Sequence, residues 1–160
     1  MSGFSIEWLN LREASDHKAR DRHLLKTAAN WLNDLKSKDK VIVDLGSGTG
    51  STIRGLQRYT TLAPSIQWRL VDNDPELLAE AVHRHSEEYS IESFLVDLSA
   101  TQKLPLESVS LITASALLDL VSSNFIRDLC QLIKEKNEDR PLGFYSALNY
   151  DGCIKWTPFH

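Results

Sequence analysis

The stretch Val41-Ile42-Val43-Asp44-Leu45-Gly46-Ser47-Gly48-Thr49-Gly50 decides how the chain reads. Its β-branched start carries no charge until Asp44, the pattern of a strand buried on both faces. Three glycines follow at alternate positions, and then Ser51, Thr52 and the helically spaced Ile53, Leu56 and Tyr59. Strand, glycine-rich turn and helix form the first half of a nucleotide-binding βαβ unit. Glycine lets such a turn bend at positive φ and leaves bare main chain against a ligand. The helix start adds unpaired N–H groups and a partial positive charge.

The spacing argues against a dinucleotide. That fingerprint is G-x-G-x-x-G, and its third glycine would here be Ser51. Asp44, just before the turn, would also repel a pyrophosphate. Asp44-Leu45-Gly46-Ser47-Gly48-Thr49-Gly50 instead resembles motif I of the class I S-adenosylmethionine-dependent methyltransferases. In that family the loop cradles the methionine part of the cofactor, an ammonium and a carboxylate. The resemblance implies S-adenosyl-L-methionine as cofactor, with Asp44, Gly46, Ser47, Gly48 and Gly50 around it. A plain glycine-rich connection is the alternative.

Outward from the loop, Ile66–Val71 reads as a second strand ending at Asp72, and Asp74 and Pro75 open a helix as N-cap and first position. An acid closing the strand beside the first one can accept both hydroxyls of a ribose. Trp68-Arg69-Leu70-Val71-Asp72-Asn73-Asp74-Pro75 resembles the second motif of the family, which makes Asp72 the ribose ligand with Asn73 beside it. A second capping residue is the alternative. A third strand, Ile91–Val96, ends at Asp97. The resemblance assigns Asp97 and Leu98 to adenine, a carboxylate suiting an amino group that only donates. Turn chemistry is the competing explanation for Asp97.

Leu98–Ser108 is short for a helical crossover and reads as loop. Val109–Ala114 is the fourth strand, and the resemblance places Ser115 at the cofactor. Asp119 is the only ionisable side chain in the segment that follows and the candidate general base; a helix-start or hydrogen-bonding aspartate is the alternative. Ser122 or Ser123 caps a helix with the face Phe125, Ile126, Leu129, Leu132 and Ile133. Leu142–Leu148 is a fifth strand, and Asn149–Trp156 reads as a hairpin around Asp151-Gly152.

Upstream of the first strand, residues 1–12 follow no clean period. From Ser15 or Asp16 a helix is expected, with Leu24, Leu25, Ala28, Trp31, Leu32 and Leu35 on its apolar face. In many members of the family such a helix lies over the cofactor, which would bring Arg12 and Arg20 to its carboxylate. Solvated surface arginines are the alternative.

Strands alternating with helices give an α/β class: a Rossmann-like, open, mostly parallel sheet with helices on both faces. One methyltransferase-like domain is expected over 1–160, with a helical segment at about 6–37 and a cofactor-binding core at about 40–160. The family's sheet usually has seven strands. Here the last strands are missing, which would leave an uncovered edge through which copies of the chain could associate.

With 22 acidic against 18 basic residues and a net charge of −4, nucleic acid is not expected as partner. No stretch is apolar and long enough to span a membrane, so no membrane partner is expected either. Cys130 and Cys153 are the only cysteines and have no metal-ligand spacing, so no metal is expected; Cys130 reads as a small buried hydrophobe. A reducing cytoplasm is the expected compartment. The resemblance implies methyl transfer to a small-molecule acceptor. A non-catalytic cofactor-binding or interaction module is the alternative, and an NAD-dependent oxidoreductase is disfavoured by the glycine spacing.

Overall fold

The computed structural model describes residues 4–37, 39–63, 65–150 and 152–153. Five strands, β1 (Lys40–Leu45), β2 (Ile66–Asp72), β3 (Ser90–Leu95), β4 (Leu111–Ser115) and β5 (Gly143–Ala147), form one sheet in the order β3-β2-β1-β4-β5. All four pairings are parallel. β1 is therefore central, and its buried pattern follows from having strands on both sides and helices or loop on both faces.

Alternation along the strands sorts side chains into two cores. Ile42, Ile66, Trp68, Leu70 and Leu111 point to one face, which is covered by α2 (Arg22–Asp34), α3 (Ser51–Tyr59) and α4 (Pro75–His85). Val41, Val43, Leu45, Val71 and Ile112 point to the other, covered by α5 (Ser123–Asp139) and by Leu104, Leu106 and Val109. The β3–β4 crossover contains only a 3-10 turn, Thr101–Lys103. Arg69, in the middle of β2, holds that crossover to the sheet: its Nη1 donates to the carbonyls of Pro105 (2.9 Å) and Glu107 (2.7 Å).

The N-terminal segment departs from expectation. Two helices stand where one was expected, α1 (Ile6–Ala19) and α2. Ser5 caps the first through the Trp8 N–H, and Asp21 caps the second through the Leu24 N–H at 2.9 Å. Arg20 between them is extended, with φ −64° and ψ 130°. Asp16 caps nothing; it pairs with Arg12 inside α1. Leu24 is exposed, and the buried face of α2 is Leu25, Ala29 and Leu32. On α5, Ile126 and Cys130 also face outward, since Phe125 and Leu129 already fill the stripe toward the sheet. The expected hairpin falls largely outside the described residues. No helix among them is long and apolar enough to cross a membrane.

Leu25→Ala should therefore cost about 2–5 kcal/mol of stability and Leu24→Ala no more than about 0.5 kcal/mol, measured by urea unfolding.

Candidate functional site

Parallel strands present their carboxyl ends together, and the loops there enclose a cavity of about 510 Å³, within the range of small-molecule sites. The glycine loop after β1 forms its floor. Gly46, Gly48 and Gly50 have φ of 63°, 52° and 84°. Gly50 is doubly constrained, because a Cβ there would lie 2.8 Å from the His85 ring. Gly48 points its N–H at Asp72, which accepts it on Oδ2 at 2.8 Å, while Oδ1 accepts the Asp74 N–H at 3.1 Å. Asp74 in turn caps α4 through the Glu76 and Leu77 N–H groups, the role its position predicts. Burial raises the pKa of Asp72, and the backbone N–H groups around it pull it back.

Asp44 lies beneath this floor, 1% exposed. Thr113, its register partner on β4, donates to Oδ1 at 2.7 Å, whereas Oδ2 has no hydrogen-bond partner. Burial pushes its pKa up to about 6, against the pull of the Thr113 and Thr52 hydroxyls and the charge of Arg20.

Arg20, at the break between α1 and α2, is buried at 3% exposure and lines the cavity. Its Nη1 donates to Ser115 Oγ at 2.9 Å, and Ser115 shares a 3.1 Å hydroxyl contact with Thr52. Its Nε and Nη2 have no partner. The Tyr145 hydroxyl, also buried without a partner, is beside this guanidinium, and Ser47 Oγ in the loop is a further orphan. Buried polar groups are ordinarily satisfied. Arg20 thus brings a buried cation to the cavity wall, near enough to the buried Asp44 for its charge to be felt there.

The roof is α1. Phe4, Trp8, Arg12, Asp16 and Arg20 all line the cavity and recur every fourth residue, along one side of a helix and its two ends. Arg12 is held bidentately by Asp16 (2.7 and 3.1 Å) and lies 4.7 Å over the Trp8 ring. Arg54 fixes the roof to the floor. It pairs bidentately with Glu13 (2.6 and 2.7 Å), donates to the Thr49 carbonyl, and contacts His85 Nε2 at 2.9 Å. Since arginine only donates, that ring nitrogen is the unprotonated one. Burial and then Arg54 lower the His85 pKa to about 4.

Of the expected cofactor residues, Gly46, Ser47, Gly48, Asp72, Asn73, Asp97, Leu98 and Ser115 line this one cavity. Asp44 and Gly50 support it from behind. Asp97 is at the rim, exposed, accepting the Ser99 N–H at 2.8 Å, a hydrogen bond that lowers its pKa. Asp119 is exposed on its turn and is not among the lining residues. Sequence reasoning missed Trp8, Asp16 and the apolar Leu117, Leu120 and Leu148. The four-residue spacing from Phe4 to Arg20 was the available signal for the first two. Among the described residues no His, Cys, Asp and Glu cluster could hold a metal ion.

No family model and no curated protein sequence matches this chain. Solved structures do. The plantazolicin methyltransferase BpumL in complex with SAH superposes with TM-score 0.52 at 16% identity, over 83% of this chain and 50% of that one. The same enzyme with a pentazolic desmethylPZN analog and SAH gives 0.52 at 15%, over 81% and 49%. The fold is that of a class I methyltransferase core. A SAM-dependent methyltransferase from Aquifex aeolicus also matches, with TM-score 0.46, 18% identity and coverage of 73% and 64%. The chain spans about half the length of BpumL.

The raised pKa of Asp44 has a measurable consequence. Its value of about 6 in the fold lies above the 3.8 of an unperturbed carboxyl, so the folded protein binds more protons between those values. Stability contributed below pH ~4 is lost as pH rises through 6, a loss on the order of 2–3 kcal/mol. Asp44→Asn should escape that loss. In urea unfolding of the ligand-free protein, the variant should gain about that much on wild type between pH 4 and pH 7.

Proposed function

We propose that the cavity binds S-adenosylmethionine and that the protein is a methyltransferase. The observation that carries this is the pairing, within one cavity, of a ribose-type acid with an unsatisfied buried cation. Asp72 closes β2 at one side of the glycine loop, and Arg20, with two open nitrogens, is at the other beside Ser115. A nucleoside carrying an amino-acid tail has its hydroxyls and its carboxylate at opposite ends and matches that pair. The buried charge of Asp44 beneath the loop favours an ammonium above it. Asp97 and Leu98, after β3, are on the Asp72 side, as an adenine would require. BpumL, which shares the fold, was solved with SAH.

When bound, the cofactor supplies a sulfonium methyl group, already electrophilic. The chain's own part is orientation and exclusion of water. Asp72 and Arg20 fix the two ends, the glycine loop admits main-chain contact, and α1, stapled by Glu13 to Arg54, covers the site. The loop lacks the G-x-G-x-x-G spacing of a dinucleotide site, and Asp44 beneath it would repel a pyrophosphate.

Calorimetric titration with S-adenosylhomocysteine (SAH), with NAD in a parallel cell, tests the assignment. Micromolar SAH binding and no NAD binding are expected. Asp72→Ala should weaken SAH by roughly 10- to 100-fold, the loss of charge-assisted hydrogen bonds, and Gly48→Val should abolish binding. Unchanged affinity in both variants would show that the ligand sits elsewhere.

A further inference from the structure

The cavity is chemically two-sided. Toward β2 and β3 it carries the carboxylates of Asp72 and Asp97. Toward β4 and β5 it is lined by Ala116, Leu117, Leu120, Val121, Phe125 and Leu148, and no described residue lining that half from the strand ends or from α5 is ionisable. Ser122, also there, is committed to the Phe125 N–H at 3.1 Å. The roof adds the Phe4 and Trp8 rings, stacked at 5.1 Å. Of the ionisable roof groups, Arg12 and Asp16 hold each other, Glu13 holds Arg54, and Arg20 is assigned to the cofactor carboxylate. Two backbone positions are bent to shape this half, Ala116 at φ 51° and Leu148 at φ 61°, and the Ala116 N–H is tied to the Ala147 carbonyl at 2.9 Å. Non-glycine residues with positive φ at the same cavity wall are uncommon enough to mark a shaped surface.

Resting on the cofactor assignment above, we infer that this half is the acceptor subsite and that it takes a neutral aromatic base whose ring nitrogen receives the methyl group. Three properties of the lining select that class. An uncharged apolar wall penalises an ammonium or a carboxylate, each of which would enter without a counter-ion. The absence of a free base on it disfavours alcohols and phenols, whose oxygen must lose a proton to become a nucleophile. Aromatic and leucine side chains reward a flat, apolar ring. A pyridine-type nitrogen is neutral near pH 7 and holds its lone pair in the ring plane. That pair forms the new N–C bond, the C–S pair returns to sulfur as a thioether, and the positive charge passes from sulfur to nitrogen with no proton moved. The cationic product then sits against an apolar wall that does not hold it. Trp8 at 42% and Leu120 at 61% exposure leave the mouth open for exit.

The test uses the full chain saturated with SAH, titrated calorimetrically with quinoline, 2-naphthol, 2-naphthoate and hexylamine. Quinoline should bind at least tenfold more tightly than any of the other three, and with S-adenosylmethionine in place of SAH it should yield N-methylquinolinium. Leu120→Glu, a substitution at an exposed position, should reverse the order toward hexylamine by placing a carboxylate on the wall, with SAH affinity unchanged within twofold. Preference of the wild type for naphthoate, naphthol or hexylamine, or equal binding of all four, overturns the acceptor inference and leaves the cofactor assignment standing. Failure of SAH itself to bind removes both.

Discussion

Two opposite charges are withdrawn from water at the centre of this molecule, the guanidinium of Arg20 and the carboxylate of Asp44. Each alone would be costly to bury. Arg20 reaches the sheet through Ser115 and Thr52, Asp44 is held by Thr113, and the charge of Arg20 draws the Asp44 pKa back down. Asp44 is where it is because β1 is the central strand of a parallel sheet, whose last residues are covered from every side. Arg20 is where it is because the helix ends one residue before it and the chain turns inward. The compensation is incomplete: open nitrogens on one partner and an open oxygen on the other persist in the folded chain. A site that stores unsatisfied polarity in this way is less stable than it could be and better prepared for a charged ligand.

The Glu13–Arg54 ion pair ties the roof to the floor. α1 has no broad apolar stripe, leaving Leu11 and Trp8 exposed, and rests on specific polar contacts: Glu13 on Arg54, His17 near the Ser51 carbonyl, Asn10 accepting from Arg84. Arg54 links these to the glycine loop and, through His85, to α4, and the bare Cα of Gly50 is what lets the His85 ring approach. The roof and the loop are thus one electrostatic unit, and a ligand closed between them would touch both.

Much of this was legible in the sequence, for reasons that can be named. β1 and its loop announce themselves because a doubly buried strand is uniformly apolar and a positive-φ turn demands glycine. Asp72 and Asp74 were separable because Pro75 fixes the helix start and leaves Asp72 to the strand end. The helical segment before β1 was misread because periodicity assumes that a helix is held by an apolar face. α1 is held by charge pairs whose partners lie far along the chain, as Glu13 and Arg54 do, and no local pattern reveals them. The break at Arg20 was hidden for the same reason, since Asp21 looks like one more polar residue until its cap is seen. Leu24 was assigned to a buried face by spacing, but the stripe of α2 runs through Leu25, Ala29 and Leu32; Cys130 was assigned inside from its apolar neighbours, and it faces outward. Leu117 and Leu148 were invisible as cavity residues because only strand-end geometry brings them together.

On the proposed assignment, Arg20 receives the carboxylate of S-adenosylmethionine while the adenosine lies toward Asp72. Its most direct test is a calorimetric comparison of wild type and Arg20→Met with two ligands, SAH and 5′-methylthioadenosine, which share the adenosine and differ in the amino-acid tail. The variant should lose roughly 30-fold or more in affinity for SAH and stay within about twofold for methylthioadenosine, the scale expected of a lost charge-assisted contact. Equal weakening of both ligands, or of neither, would contradict it.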